Sequence, residues 1–295
     1  PQGGSMGTYH IEHFDPEAIA LSGQCFRMHI LAPGRVEVIH RGRRVEIAVL
    51  GEDAFAFSCS DAEFENVWRH FFDLETDYRP FLEAIDKTDH YLTCAAEAGR
   101  GLRILRQDPW EVRISFILSQ RKSIPAIRDN VEKLCRRFGE PLAEYGPDVF
   151  AFPTPQALAG ASMEELSACS LGYRAPYVRA AAISVAAGQT DLPALSGLDD
   201  EALLQSLLSL YGVGVKVARC VMLFGYHRLC AAPVDVWIGR VIDQEYGGVS
   251  PFARYAGFCG VIQQYMFYQR ITAKRPEKPA AQKNLPSGAS HAIHL

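Results

Sequence analysis

The period of the hydrophobic residues changes near Ser60, and this change limits the folds open to the chain. From Thr8 to Ser58, short segments rich in β-branched and aromatic residues alternate with Gly and Pro-Gly breaks, and the stretch RVEVIHRGRRVEIAV predicts a hairpin turning near Gly42. After Ser60, apolar residues such as Phe64 and Val67 recur at helical spacing. Strands and helices are therefore segregated, so the sequence predicts an α+β fold: a small N-terminal antiparallel β-sheet domain followed by a mostly α-helical, two-lobed body.

Local signals predict where the helices begin and end. Ser60 to Glu63 has the form of a capping box, and Asp108-Pro109 supplies an N-cap and a proline at the first helical position. The segment IPAIRDNVEKLCRRF predicts a helix that stops at Gly139. We also expect helices at Met163 to Ala168, Tyr177 to Ala187, ALLQSLLSLY (capped by Asp199 or Asp200 and ending at Tyr211) and Ala256 to Arg270, with a loop from Leu192 to Gly197.

The chain divides into four predicted parts. We interpret residues 1–6 as a cloning remnant, residues 7–99 as the N-terminal antiparallel sheet domain with its helices, residues 100–273 as a helical domain, and residues 274–295 as a flexible tail. With 48% hydrophobic and 22% charged residues the chain is typical of a globular protein. No run approaches the roughly 18 apolar residues that a membrane helix needs. We expect a cytoplasmic, bacterial, monomeric protein without a membrane partner.

Cysteine spacing and charge restrict the chemistry. The eight cysteines form no CxxC pair, so neither a zinc site nor an iron–sulfur cluster is predicted, and buried or free thiols in a reducing compartment are expected. The net charge is −4, but residues 50–99 hold 12 acidic and 3 basic residues, while residues 101–140 hold 9 basic and 5 acidic residues. A basic face on a mildly acidic protein is compatible with phosphate binding, although a solvated mixed-charge helix surface would look the same.

The segment from Leu203 to Val241 is the most informative stretch. Gly212-Val213-Gly214 interrupts two helical patterns, which predicts a helix-hairpin-helix at residues 203–224. Glycines in such a bend let the backbone approach a ligand closely, and the N–H groups at the start of the next helix point outward. The backbone of Gly212, Val213, Gly214 and Val215 therefore suits a phosphate, and such a contact needs no base.

These residues resemble the 8-oxoguanine DNA glycosylase/AP lyase family of the helix-hairpin-helix (HhH-GPD) superfamily. The matching motifs run in the family's order from Ser22 to Phe267: SGQCFR, FILSQRKSI, LGYRAPYV, GVGVKVARC, PVDVW and the segment Gln263 to Phe267. The resemblance implies an enzyme of base excision repair whose partner is double-stranded DNA containing oxidised guanine. It agrees with the predicted sheet domain and helical body.

The resemblance assigns the catalytic pair to Lys216 and Asp235. An unprotonated lysine amine can attack C1′ of the damaged nucleotide, and the resulting Schiff base supports β-elimination of the 3′ phosphate without a metal. The carboxylate would stabilise oxocarbenium character at the sugar and assist proton transfer. Lys216 alone could be an ordinary surface lysine, but GVG precedes it and PVD follows it. No cofactor is expected, although the resemblance allows a structural cation at the Gly212 to Val215 hairpin.

The flipped base would be recognised by a second group of residues. By resemblance, Cys220 and Phe267 sandwich the purine and Gln263 bonds its Watson–Crick edge. The Gly23 carbonyl would accept the N7 hydrogen that 8-oxoguanine has and guanine lacks, and an unmatched carbonyl rejects the wrong base. Taken singly, Cys220, Gln263 and Phe267 are also compatible with ordinary helix packing.

The opposite strand would be met by Tyr173 as a wedge and by Arg174 and Arg121. Here the sequence departs from the family: Arg121 stands where eukaryotic members have an asparagine that touches the orphaned cytosine, and Ala126 replaces a partner arginine. We therefore expect relaxed discrimination for cytosine. Trp237 stands where many relatives have a histidine after the Asp loop, and it would either alter a phosphate contact or simply pack.

Two other readings of the sequence remain. The enzyme could act on another oxidised purine, whereas an alkylated base is disfavoured because alkylpurine enzymes of the superfamily do not use the lysine. A non-catalytic DNA-binding module would use the hairpin as a phosphate clamp, and it would make Lys216 and Asp235 coincidental. A cluster-bearing relative is disfavoured because no four-cysteine set lies near the C-terminus.

Overall fold

A five-stranded antiparallel sheet forms the N-terminal part of the computed structural model, which describes residues 6–273. The strand order is β1-β5-β4-β3-β2. The β3–β4 hairpin pairs Val38 with Val45 and turns at Arg41 and Gly42, which both have positive φ (47° and 74°). The strands are β1 (Gly7–His10), β2 (Met28–Ala32), β3 (Arg35–His40), β4 (Arg43–Gly51) and β5 (Ala54–Phe57).

The rest of the described chain is helical, as predicted. Asp108 caps α6 by accepting hydrogen bonds from the amides of Trp110 and Glu111. The α-helices are α1 (Pro16–Leu21), α2 (Asp61–Glu63), α3 (Arg69–Phe71), α4 (Arg79–Glu83), α5 (His90–Ala98), α6 (Pro109–Leu118), α7 (Ile124–Phe138), α8 (Pro155–Gly160), α9 (Met163–Ala168), α10 (Ala175–Ala186), α11 (Leu192–Leu195), α12 (Asp200–Leu208), α13 (Val215–Gly225), α14 (Val236–Tyr246) and α15 (Cys259–Thr272).

One continuous hydrophobic core joins the sheet to the helices. Under the sheet, Phe57 packs edge-on against Phe64 and Phe72, with ring centroids 5.0 and 6.0 Å apart. In the helical body, α6 is buried along almost its whole length and packs against α13, where Phe116 and Phe224 stack with centroids 5.4 Å apart. These two helices therefore form a rigid base for the groups at their ends.

Several boundaries differ from the sequence predictions, although the α+β fold class is confirmed. Helix α1 lies within the segment interpreted as strands, and α11 replaces the predicted loop between Leu192 and Gly197. Helix α12 ends at Leu208 rather than Tyr211. Half of the capping box forms: Ser60 accepts from the Glu63 amide, whereas the Glu63 carboxylate accepts from the Trp68 indole in a π-helical turn.

The predictions for the two ends of the chain and for the domain boundary are not tested by the described residues. Residues 1–5 of the expected remnant and the expected tail at 274–295 lie outside the described residues. The division at residues 99 and 100 stays a prediction. Within residues 6–273, no helix is long and apolar enough to cross a membrane, and no group of three or more His, Cys, Asp or Glu side chains could hold a metal ion. All eight cysteines are free thiols.

Candidate active site

The predicted helix-hairpin-helix is formed by α12, a tight turn and α13. Gly212 has φ +79°, and a Cβ at this position would lie 2.5 Å from Cγ of Tyr177, so the turn requires glycine for both its conformation and its packing. Tyr177 also contacts Tyr211 edge-on, with centroids 4.9 Å apart. The hairpin is thus braced from α10 and leads directly into the first turn of α13.

Lys216 lies in that first turn, and its amine is held by two contacts with the end of α6. Nζ donates to Oγ of Ser119 at 3.1 Å and lies 4.9 Å from the centroid of the Phe116 ring. The Ser119 hydroxyl donates to the Phe116 carbonyl at 2.7 Å, so it presents only lone pairs to the amine. The Lys216 amine is therefore held in position by the Ser119 hydroxyl, which donates its own hydrogen to the Phe116 carbonyl.

Lys216 and Asp235 line the same cavity of about 1290 Å³, which we call the cleft. Asp235 is the N-cap of α14, and its Oδ1 accepts from the amides of Trp237 (3.0 Å) and Ile238 (2.9 Å). Its Oδ2 has no hydrogen bond to another described residue. The cap thus fixes the carboxylate and leaves one oxygen free for a group in the cleft.

Helix N-termini surround the cleft and make it favourable for phosphates. Helices α7 and α14 begin at the lining residues Ser123 and Asp235, and α13, which begins after Gly214, places Lys216 of its first turn on the lining. Neither Ser123 nor Gly214 caps its helix with a side-chain hydrogen bond, so the first amides of α7 and α13 remain open. Open amides and the positive ends of helix dipoles bind anions.

The four predicted base-pocket residues separate into two groups. Gly23 and Phe267 line the cleft, and a Cβ on Gly23 (φ +73°) would lie 3.1 Å from Cε1 of Phe267 and 3.0 Å from Cδ1 of Ile124. Cys220 and Gln263 are buried and are not among the residues that line the cleft. Burial raises the pKa of the Cys220 thiol to about 11, with nearby Lys216 opposing the rise. A purine in the cleft would therefore contact Cys220 and Gln263 only after a local rearrangement.

Gln24, which sequence reasoning missed, holds the Gly23 loop in place. Its fully buried amide donates to the Arg103 carbonyl and accepts from the Leu105 amide, both at 2.9 Å. Its own carbonyl accepts from the Gln107 side chain at 2.8 Å. The Gly23 carbonyl therefore precedes a residue that is held by three hydrogen bonds, so the loop that carries this carbonyl is fixed.

The predicted opposite-strand residues differ in their accessibility. Arg121 is exposed, lines the cleft and has a left-handed backbone (φ 54°), which is uncommon for a residue other than glycine. Tyr173 is 50% exposed. Arg174 is only 5% exposed, and its guanidinium donates to the carbonyls of Gln120 and Leu171 while stacking 4.3 Å from the Tyr173 ring centroid. Base reading by Arg174 stays a prediction, and it would require those bonds to break.

Gln120 is a second residue that the sequence did not identify. Its carbonyl accepts from Nε and Nη2 of Arg174 and, weakly, from the hydroxyl of Tyr173 at 3.4 Å. Its side-chain amide donates to the Gly212 carbonyl at 3.1 Å. One residue therefore links the loop that carries Arg121, the Tyr173–Arg174 segment and the hairpin.

Trp237 lies on the cleft wall between two arginines. Its ring is 39% exposed, and the guanidinium carbons of Arg240 and Arg270 lie 5.2 and 5.9 Å from its centroid. Nε of Arg270 is buried without a hydrogen-bond partner in the described chain. Trp237 and the two arginines thus form an aromatic and cationic rim of the cleft, and its contact with a phosphate stays a prediction.

Comparison with known proteins identifies the family. Residues 8–112 match the family model of the 8-oxoguanine DNA glycosylase N-terminal domain. Residues 114–250 match the HhH-GPD superfamily of base excision DNA repair proteins.

Individual relatives cover most of the chain. The "Probable N-glycosylase/DNA lyase" of Methanothermobacter thermautotrophicus is 31% identical over 227 residues, which are 67% of this chain and 72% of that protein. The structure of MBOgg1 with a low affinity DNA ligand has a TM-score of 0.85 and 32% identity, covering 91% of this chain and 96% of that one. The Clostridium acetobutylicum 8-oxoguanine glycosylase/lyase, bound to dsDNA containing cytosine opposite 8-oxoG, has a TM-score of 0.83 and 30% identity, covering 91% and 98%.

Proposed function

This chain belongs to the 8-oxoguanine DNA glycosylase family of the HhH-GPD superfamily, and we propose that it excises 8-oxoguanine from duplex DNA through Lys216 and then cleaves the strand as an AP lyase. The observation that carries the assignment is the shared cleft. An amine held by Ser119, a carboxylate with one free oxygen, and the Gly23–Phe267 wall all line it. A DNA-binding module would need the hairpin but would have no use for a fixed amine facing a fixed carboxylate.

Excision begins with the lone pair of Lys216 Nζ. It forms a bond to C1′ of the flipped nucleotide while the bond from C1′ to N9 of the base breaks, and the departing base takes the electron pair and a proton. Positive charge develops at C1′ and O4′ of the sugar. Oδ2 of Asp235, fixed by the α14 cap, stabilises that charge and assists proton transfer.

Strand cleavage follows from the same covalent bond. Opening of the sugar at O4′ leaves a protonated imine between Nζ and C1′, which acidifies the C2′ proton. Loss of that proton expels the 3′ phosphate by β-elimination, and water then hydrolyses the imine to free the amine. Every step uses groups of this chain and water, so we propose that no cofactor is required.

Recognition of the lesion combines the base wall with the DNA-facing loops. We propose that the flipped purine stacks on Phe267, with Cys220 and Gln263 reached after a side-chain rearrangement, and that the Gly23 carbonyl accepts the N7 hydrogen of 8-oxoguanine. Flipping costs a few kcal/mol of stacking, which these contacts offset. Tyr173 supports the emptied stack, and we propose that the exposed Arg121 fills the gap opposite the lesion with relaxed selectivity for cytosine.

The hairpin is the proposed anchor for the DNA backbone. The open amides at Gly214 and Val215 suit a phosphate. A monovalent cation on the Gly212–Val215 carbonyls fits the same turn, because the Val213 carbonyl has no hydrogen bond to another described residue. It would add positive charge beneath the phosphate. We further propose that the protein works as a monomer in the cytoplasm of a bacterium, with its sheet domain at 7–99 and its helical domain at 100–273.

Borohydride trapping tests the proposed function directly. The probe is a labelled duplex with one 8-oxoguanine opposite cytosine, with undamaged and abasic duplexes as controls and Lys216→Gln as the variant. We expect a covalent adduct with the lesion and abasic duplexes that the variant does not form. Adducts on abasic DNA alone would overturn the lesion assignment. Binding without any adduct would favour the non-catalytic module.

A further inference from the structure

A second cavity of about 620 Å³ lies at the seam between the sheet and the helical body. Its lining includes Pro109 at the start of α6 and Gly225 at the end of α13. These are the ends of the two helices that point away from the cleft, and Lys216 lies nine positions, or about 14 Å, along α13 from Gly225. We call it the distal cavity. No described residue lines both this cavity and the cleft.

Arginines predominate among the charged residues that line the distal cavity. Three guanidinium groups line it, those of Arg41, Arg43 and Arg106, whereas Asp108 is the one carboxylate among its described lining residues. Asp108 pairs with Arg41 at 3.0 Å, and Arg106 pairs with the buried Asp73 at 2.8 Å. Arg43 is half-exposed and reaches Glu63 only at 3.9 Å, so its charge is the least compensated.

A buried histidine adds a polar group without a partner. His40 is 7% exposed, lines the cavity and makes no side-chain hydrogen bond to another described residue. Burial lowers its pKa to about 3, with Arg41 acting in the same direction, so the ring is neutral and offers one donor and one acceptor nitrogen. An unpartnered polar ring in a buried wall is costly unless a ligand or water bonds it.

Aromatic walls complete the cavity. Phe71 lies 4.5 Å from His40, measured between ring centroids, and Trp110 and Tyr226 form further lining. The volume falls within the range of about 300–1,000 Å³ that is usual for small-molecule sites. The aromatic side chains offer apolar surface on which a planar ring can stack, and the guanidinium groups suit an anionic group.

We propose that the distal cavity is a second binding site, separate from the cleft, for a nucleoside phosphate. The phosphate contacts Arg41, Arg43 and Arg106, and the base lies against the aromatic walls with its polar edge on His40. This proposal does not depend on the reaction in the cleft.

The test measures binding with the cleft already filled. Protein saturated with a duplex carrying a tetrahydrofuran abasic analogue is titrated calorimetrically with the four nucleoside 5′-monophosphates. Guanosine without phosphate and inorganic phosphate serve as partial probes. We expect at least one monophosphate to bind about tenfold or more tightly than either partial probe.

The test variant is Arg41→Asn combined with Arg43→Ser. Asparagine tolerates the left-handed conformation of position 41 better than arginine does, so the turn at Gly42 keeps its geometry. Arg35→Ser is the matched control, because Arg35 is an exposed arginine at the other end of β3 and does not line the cavity. We expect the double variant to bind nucleotide about tenfold more weakly and the control to bind normally, both with unchanged cleavage of lesion DNA.

Three results would overturn the proposal. Loss of nucleotide binding when the abasic duplex fills the cleft would place the site there. Equal affinity in the double variant, with thermal unfolding showing that it is folded, would exclude the guanidinium rim. Absence of binding to wild-type protein at about 5 mM nucleotide, which corresponds to roughly −3 kcal/mol, would exclude a site of useful affinity.

Discussion

Substituting Gly23 by alanine should damage base recognition far more than strand cleavage. The backbone there has φ +73°, and an alanine in this left-handed region costs about 1–2 kcal/mol. The new Cβ would also lie 3.0 Å from Ile124 Cδ1 and 3.1 Å from Phe267 Cε1, so these side chains must move by a few tenths of an ångström. The displaced Phe267 ring would then intrude on the space that we assign to the flipped base.

A matched substitution separates the backbone cost from this contact. Gly34 has the same φ of +73°, but a Cβ there would meet Val49 only at 3.7 Å, on the surface of the β2–β3 turn. Gly34→Ala should therefore lose the same 1–2 kcal/mol or so in free energy of unfolding while leaving the cleft unchanged. The difference in free energy of unfolding between the two variants therefore measures the cost of the close contacts with Phe267 and Ile124.

The assay compares two reactions of each variant under single-turnover conditions. For Gly23→Ala we expect excision of 8-oxoguanine opposite cytosine to slow at least about tenfold, equivalent to about 1.4 kcal/mol, because the base pocket is narrowed. Cleavage at a preformed abasic site should stay within about threefold, since Lys216 and Asp235 lie on other elements and no base must be bound. Equal slowing of both reactions by a folded variant would refute the reasoning, as would unchanged excision.

Three further outcomes follow from the structure. With Arg121 at the gap, single-turnover excision of the lesion opposite cytosine should exceed that opposite adenine by less than about a hundredfold, or 2.7 kcal/mol, and a larger ratio would contradict the proposed relaxation. Gln120→Ala removes the hydrogen bond to the Gly212 carbonyl of the hairpin. Because the hairpin is the proposed DNA anchor, KM for duplex should rise about threefold to tenfold while kcat changes little. A fall in kcat alone would argue against a positioning role for Gln120. Burial raises the pKa of Glu111 to about 8 from 4.5, so the folded carboxyl keeps its proton while the unfolded one ionises as pH rises between these values. Stability is lost over that window, and Glu111→Gln should be more stable than wild type to urea at pH 8 but not at pH 4.5.

The sequence predicted the fold well wherever one local rule decided the structure. Asp108-Pro109 starts α6 because an N-cap carboxylate and a proline suit the first turn of any helix. The change in hydrophobic period at Ser60 separates the sheet from the helices, because apolar residues recur at different spacings in strands and in helices. Helix α1 was missed since its six residues are too few to show a helical period between strands.

The site was only partly predictable, because its supporting contacts join distant segments. Gln24 bonds the backbone 79 residues later, and Gln120 bonds that of Gly212, which is 92 residues away. No spacing rule connects such positions. Nothing in the sequence indicated that the Arg174 side chain is buried, because its partner, the Gln120 carbonyl, lies on a loop distant in the chain. Lys216 and Asp235 could be identified because the motifs around them resemble a known family.

The left-handed backbone at Arg121 bears on how this enzyme could diverge. Asparagine and glycine adopt φ near +54° more readily than arginine, so the loop keeps a shape that would accept the asparagine of eukaryotic relatives without refolding. If Arg121 has the role we propose, replacing it by asparagine would change which base is tolerated opposite the lesion while the scaffold stays the same. Under that proposal, the fidelity of repair in a lineage depends on one exposed side chain rather than on the fold.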